Sequence, residues 1–218
     1  MRRTEPTYIV TAPSIEDIRR AFDPYVAAVG RVAHAWNYLH EKLGQLFVAV
    51  TGADRGIILA VWYSTPNDRA QRRMLRGAIN ASAADKWEPR LPTARDDLLW
   101  LVKEADELAG ARDNAVHVPC STYTDSKGTG MFAAFFNGHP RARKLIGKKL
   151  IDEFLWCEEC AEVLSRFSMR AEAALAPQQY PWPNKPDIPT RERKRTLESP
   201  RRLIDVGTEA RRLQSPPE

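Results

Sequence analysis

Near the end of one amphipathic stretch, in LAGARDNAVHVPC, the chain sets Arg112, Asp113 and His117 within six residues. A guanidinium is a permanent cation that can hold a phosphate or meet a developing negative charge. An imidazole titrates near neutrality and can carry a proton in either direction. A carboxylate four residues before it shares its helix face and can set its tautomer and basicity. A cation, a proton carrier and an orienting acid are equipment for acid–base chemistry at a phosphodiester. Advancing about 100° per residue, Leu98, Leu101, Val102, Ala105, Leu108, Ala109 and Val116 fall in one apolar sector, and Arg112 falls inside it. A charge in that position needs hydrogen-bonding anions, because unpaired burial costs several kcal/mol. Gly110, on the flank, leaves room for close approach by another helix or a ligand.

A second cationic set lies in NDRAQRRMLRGAI. On a helix Arg69, Arg72, Arg73 and Arg76 form one stripe, opposite Ala70, Gln71, Met74 and Ala78, with no acid between them. Four arginines on one face can track a phosphate backbone, and a solvated polar face is the plainer reading of the same stripe. Other patterns carry less. Cys157-Glu158-Glu159-Cys160 has a zinc-like spacing, but Cys120 is the one other cysteine, and Cys157 falls on an apolar face with Leu150, Phe154, Ala161 and Leu164. His34, Asn37, Glu41 and Gln45 share a face opposite an apolar row and read as solvent-facing. DSKGTG lacks the phosphate-loop pattern and reads as a turn. No metal and no cofactor is expected.

The elements that must position these residues read as helices. Ser14 is placed to cap a short first helix, and Asp23-Pro24 to start a second. From there Tyr25, Val29, Val32, Trp36, Leu39, Leu43, Leu46 and Val50 recur at spacings of three and four until Thr51-Gly52. GIILAVWYS fits a strand or a buried helix, and its helical neighbours favour helix. Thr65-Pro66 opens a helix to about Ala81, and Thr93 caps one that ends at His117, since Val118 precedes a proline. CSTYTDSKGTGMFAAFF changes period and suggests a small β-hairpin or ordered loop. A last helix spans about Leu150 to Leu175. The sequence thus divides into an N-terminal arm (1–13), a helical domain (14–176) and a Pro/Arg-rich tail (177–218) read as extended or disordered, where Arg191, Arg193, Lys194, Arg195, Arg201 and Arg202 concentrate charge.

Bulk properties agree with an ordinary folded domain. The 218 residues are 43% hydrophobic and 28% charged, enough to bury a core. A net charge of +5 and a pI near 9.2 suit an anionic partner without demanding one. Three cysteines fit a reducing compartment. MRRTEPTYIV has no apolar region of a signal peptide, and no apolar run reaches the length of a membrane span. A soluble, cytoplasmic protein with no membrane partner is the expectation.

The segment Arg112-Asp113-Asn114-Ala115-Val116-His117 resembles the R-x4-6-H motif of the HEPN superfamily, including the polar residue that commonly follows the arginine. The resemblance covers the helical body, roughly residues 14–176. It implies an all-α, HEPN-like helical bundle, commonly a homodimer, here with a hairpin-like insertion and a basic tail. It also implies a metal-independent endoribonuclease of toxin or defence type, with RNA as substrate and Arg112, Asp113 and His117 as catalytic residues. Under that reading Arg69, Arg72, Arg73 and Arg76 bind nucleic acid, and an antitoxin or nucleotidyltransferase is a possible partner protein by analogy. The alternative is a non-catalytic helical interaction protein that dimerises or binds another protein, in which Arg112 and His117 only hold a seam.

Overall fold

Ser14 opens the first helix as its residue type suggests. Its hydroxyl oxygen accepts the backbone N–H of Asp17 at 3.1 Å, which satisfies one free amide of the first turn. In the computed structural model, which describes residues 13–86, 90–125, 128–134, 139–176 and 180–191, this helix, α1 (Ile15–Thr51), does not restart at Asp23-Pro24 but runs through Pro24. Proline removes the amide that would have bonded the carbonyl of Arg20. Both residues are exposed, so water can serve that carbonyl. The helix ends at Gly52, whose left-handed φ of 64° suits glycine and turns its N–H to the Val48 carbonyl at 2.9 Å.

The ambiguous apolar run is helix α2 (Arg55–Ser64), capped by Asp54, whose carboxylate accepts the Ile57 N–H. Of its side chains Trp62 is buried, whereas Ile57, Val61 and Tyr63 are exposed. Trp62 can lie on α1 because Gly44 has no side chain: a Cβ there would stand 2.9 Å from the indole nitrogen. Helix α3 (Asp68–Lys86) begins behind Asn67, whose side chain accepts the Ala70 N–H, later than Thr65-Pro66 indicates. Helix α4 (Ala94–His117) stops where expected, with Val118 extended ahead of Pro119. Strands β1 (Cys120–Asp125) and β2 (Gly128–Ala133) pair antiparallel from Cys120↔Ala133 to Asp125↔Gly128, forming the expected small hairpin. The short α5 (Pro140–Arg143) and the long α6 (Leu150–Leu175) follow.

The protein is mostly helical, and the described strands form one two-stranded sheet, so the all-α expectation holds. Helix α1 packs on α6, α6 on α4, α4 on α3, and α3 back on α1, closing a four-helix ring. Leu39, Leu43, Leu46, Leu75, Ile79, Leu98, Leu101 and Leu164 fill its centre. Among the described residues no helix is long and apolar enough to cross a membrane.

The chain beyond 176 differs in part from the free tail expected of it. Residues 180–191 form neither helix nor strand, yet they are fastened to α4 and α6. Trp182 Nε1 donates to Asp97 at 2.9 Å, Lys185 pairs with the same carboxylate at 2.9 Å, and Trp156 Nε1 donates to the Pro189 carbonyl at 2.7 Å. A segment can pack without a helical period, so scarcity of that period does not entail scarcity of packing. The arm up to residue 12 and residues 192–218, including Arg193, Lys194, Arg195, Arg201 and Arg202, lie outside the described residues.

Candidate functional site

A polar cluster forms where α1, α3 and α4 meet, around Trp36. The indole is buried, donates through Nε1 to Asp68 at 2.7 Å, and has two guanidinium carbons near its ring, Arg72 at 5.4 Å and Arg112 at 5.7 Å from the centroid. Such distances allow a cation–π attraction. One helical turn along α1, His40 is buried against Trp36, with ring centroids 4.8 Å apart. Its Nε2 lies 3.0 Å from Arg72 Nη1, and its Nδ1 lies 3.0 Å from Gln71 Oε1. An arginine has no acceptor, so Nε2 must accept and the proton resides on Nδ1, which donates to Gln71. Gln71 passes the chain on, donating through Nε2 to the Trp62 carbonyl at 2.9 Å.

Burial holds the His40 pKa below its ordinary 6.5, and the Arg72 and Arg112 charges push the same way against Asp68 and the Gln71 hydrogen bond. Burial opposes ionisation of Asp68, but the Trp36 hydrogen bond, with His40, Arg112 and Arg72 around it, outweighs burial and leaves that carboxyl below the usual range. The His40 result has a measurable consequence. A depressed folded pKa means that the unfolded chain binds the proton first as pH falls. The stabilising contribution is complete above about pH 6.5 and is lost as pH drops from there through the folded value. Urea unfolding between pH 7.5 and 5 is expected to show stability falling by at most about 1.4 kcal/mol per pH unit from this one proton. A His40→Gln variant should flatten that slope, and a variant as steep as the natural protein would remove His40 as its source.

The arginine stripe of α3 is divided by the fold. Arg72 is 4% exposed and turned inward, its Nε donating to Asp106 at 2.7 Å, while Arg76 reaches the other oxygen of Asp106 at 2.9 Å. Arg69, Arg73 and Arg76 are exposed, Arg76 while paired with Asp106. The expectation of four outward arginines is therefore corrected at Arg72: the inward face of α3 is Gln71, Arg72, Leu75 and Ile79, and Asp106 of α4 supplies the acid that the stripe itself lacks.

At the end of α4, Arg112 is half-buried, as its place in the apolar sector requires, and its side chain retains 25% exposure. Its Nη1 donates to Asp113 Oδ1 at 3.1 Å, and Arg141 of α5 donates to Asp113 Oδ2 at 3.2 Å. Arg112 Nε is buried with no hydrogen-bond partner among the described residues. Asp113 thus serves two guanidiniums, and no hydrogen bond joins it to His117, contrary to the orienting contact expected from their spacing. His117 is exposed on the last turn. Val116 is also exposed and Ala115 buried in its place, because the inward positions continue from Leu108 through Arg112 to Ala115. Gly110 faces open space, with nothing near the position of a Cβ.

Residues that the local pattern did not single out complete the cluster: His40, Asp68, Asp106 and Arg141. His40 had a visible signal, a titratable residue four positions from Trp36 and three before Leu43 in the apolar row. Asp106 and Arg141 had none, since their partners come from other helices. Of the remaining candidates, His34, Asn37 and Glu41 are exposed, whereas Gln45 is half-buried with a buried oxygen that has no hydrogen-bond partner among the described residues. Cys157 and Cys160 are buried in the core, and burial pushes both thiols up to about 12. A thiol so shifted stays protonated at neutral pH and is a poor metal ligand. Compared with known proteins, the chain matches no protein-family model, no curated protein and no solved structure.

Proposed function

We propose that the protein is a metal-independent endoribonuclease of HEPN type, a HEPN-like bundle acting as a homodimer. The observation that supports this reading is the end of α4. There a half-buried guanidinium held by Asp113 lies five residues before an exposed imidazole. In this proposal His117 takes the proton of a ribose 2′-hydroxyl, or gives one to the leaving 5′-oxygen. Arg112 stabilises charge on the crowded phosphorane. Asp113 acts on the cation side, fixing Arg112 against Arg141. Attack by the 2′-oxygen breaks the P–O5′ bond and leaves a 2′,3′-cyclic phosphate, so the substrate is RNA and not DNA. Arg69, Arg73 and Arg76, exposed on α3, are the members of the stripe left to meet a phosphate backbone. A role as toxin or defence effector, with an antitoxin or nucleotidyltransferase partner, belongs to the same proposal.

The test is cleavage of RNA by the purified protein with and without EDTA. Activity is expected to survive chelation and to give ends that carry a cyclic phosphate. Activity that disappears with EDTA and returns with magnesium or zinc would exclude this mechanism. A second reading has its own support. Arg112 rests on Trp36, and Ile57, Val61 and Tyr63 are exposed on α2, as suits a non-catalytic interaction protein whose arginine is a strut. That reading gains if the protein binds RNA or a partner but cuts nothing.

A further inference from the structure

One row of every third residue in the segment 180–191 is uniform and faces solvent. Pro181, Asn184, Asp187 and Thr190 are exposed, while the row of Tyr180, Pro183, Pro186 and Pro189 passes from exposed through half-buried to buried. The remaining row, Trp182, Lys185, Ile188 and Arg191, makes the side-chain contacts with the bundle. A repeat of three is that of the polyproline II helix, which has no internal hydrogen bonds and leaves its carbonyls free.

The groove between α4 and α6 answers both properties. The Trp182 ring meets Phe167 edge-on with centroids 6.5 Å apart, and Phe167 meets Trp100 in the same way at 5.4 Å. Lys185 Nζ stands 5.4 Å from the Trp100 ring while paired with Asp97. Ile188 packs against the core. The Arg191 guanidinium lies 4.3 Å over Trp156, whose N–H takes the free carbonyl of Pro189. Aromatic-lined grooves read proline-rich segments by this combination of stacking surface and carbonyl capture. The segment runs antiparallel to α6, from Trp182 beside Phe167 to Arg191 at Glu153. These contacts use side chains and a carbonyl and extend no helix or sheet, so the same set forms whichever copy supplies the segment.

We propose that the α4–α6 groove is a binding site for an extended proline-rich peptide, and that its partner in trans is residues 180–191 of a second copy, exchanged for the chain's own. Each copy carries both halves of the interaction, and exchange of an identical element is a low-cost route to a dimer. Four residues, Ala176 and 177–179, join the segment to the end of α6 at Leu175. That tether gives the chain's own segment an effective concentration on the order of millimolar. Exchange is therefore read after cutting the tether, or at protein concentrations of that order.

For the first measurement, a protease recognition sequence is placed at 177–179 of the full chain, which is folded and then cut. The severed segment is expected to stay with the body, and a fluorescent 180–191 peptide to exchange into it with saturating anisotropy. A peptide carrying Trp182→Ala and Ile188→Asp is expected to bind at least about 10-fold more weakly, the loss of one anchoring aromatic being sufficient for that. For the second, two differently tagged uncut chains held at about millimolar concentration are expected to form a mixed dimer that excess peptide dissolves. A cut protein that loses its helical signal, or keeps it while labelled peptide never enters, overturns the site. Peptide binding beside uncut copies that remain monomeric overturns the second copy as partner.

Discussion

Changing His117 to alanine is expected to lower RNA cleavage by about 10²–10⁴-fold, the usual range for a positioned proton carrier. Stability should stay within about 0.5 kcal/mol, because the side chain is exposed on the last turn of α4 and anchors nothing. Arg112→Ala is expected to reduce cleavage by about 10²–10³-fold, as loss of a charge-stabilising donor does. It should also destabilise the fold by about 1–2 kcal/mol, since the guanidinium leaves the face of Trp36 and a partly buried ion pair. Asp113 is not stranded in that variant, because Arg141 still holds it. Cleavage measured beside urea unfolding for the natural protein and both variants separates the two readings of the motif. Variants that cut RNA like the natural protein would make the motif structural. An Arg112→Ala protein that no longer folds would mark the arginine as a strut.

Arg72→Met should destabilise the bundle by about 3 kcal/mol, near the lower end of what breaking a buried charge pair costs. The arginine is nearly enclosed, and three groups depend on it: Asp106, His40 and the Trp36 ring. The loss stays at the lower end because Asp106 is partly exposed and keeps Arg76. Lysine is no substitute, since one ammonium lacks the fork that bonds a carboxylate and an imidazole at once. Arg73→Met, one residue on and exposed, should change stability by less than about 0.5 kcal/mol. If nucleic acid binds along α3, this second variant should still weaken binding and make it less sensitive to salt. Equal stability of the two variants would show that the buried network contributes nothing to the fold.

Features that depend on near neighbours were legible in the amino-acid order. Ser14, Gly52 and the Val118-Pro119 step mark helix ends because caps and proline sterics act within a few residues. The change of period after Pro119 marked the hairpin for the same reason. The apolar row of α1 announced its buried face, and the position of Arg112 in the row of α4 announced a charge that needs partners. Which partners it has is another matter. His40 meets Gln71 across 31 residues, Arg72 meets Asp106 across 34, Asp113 meets Arg141 across 28, and Trp182 meets Asp97 across 85. A helical period says which side of a helix is apolar, but not which helix packs there or what charge that neighbour brings. For that reason Arg72 read as surface and is buried, Asp113 read as a partner of His117 and serves two arginines, and part of a proline-rich tail proved to be fastened. Local order sets the elements and their faces. The register in which α1, α3, α4 and α6 close on one another decides which polar side chains share an interior, because charges far apart in the chain interact only once packing has brought them within hydrogen-bonding distance.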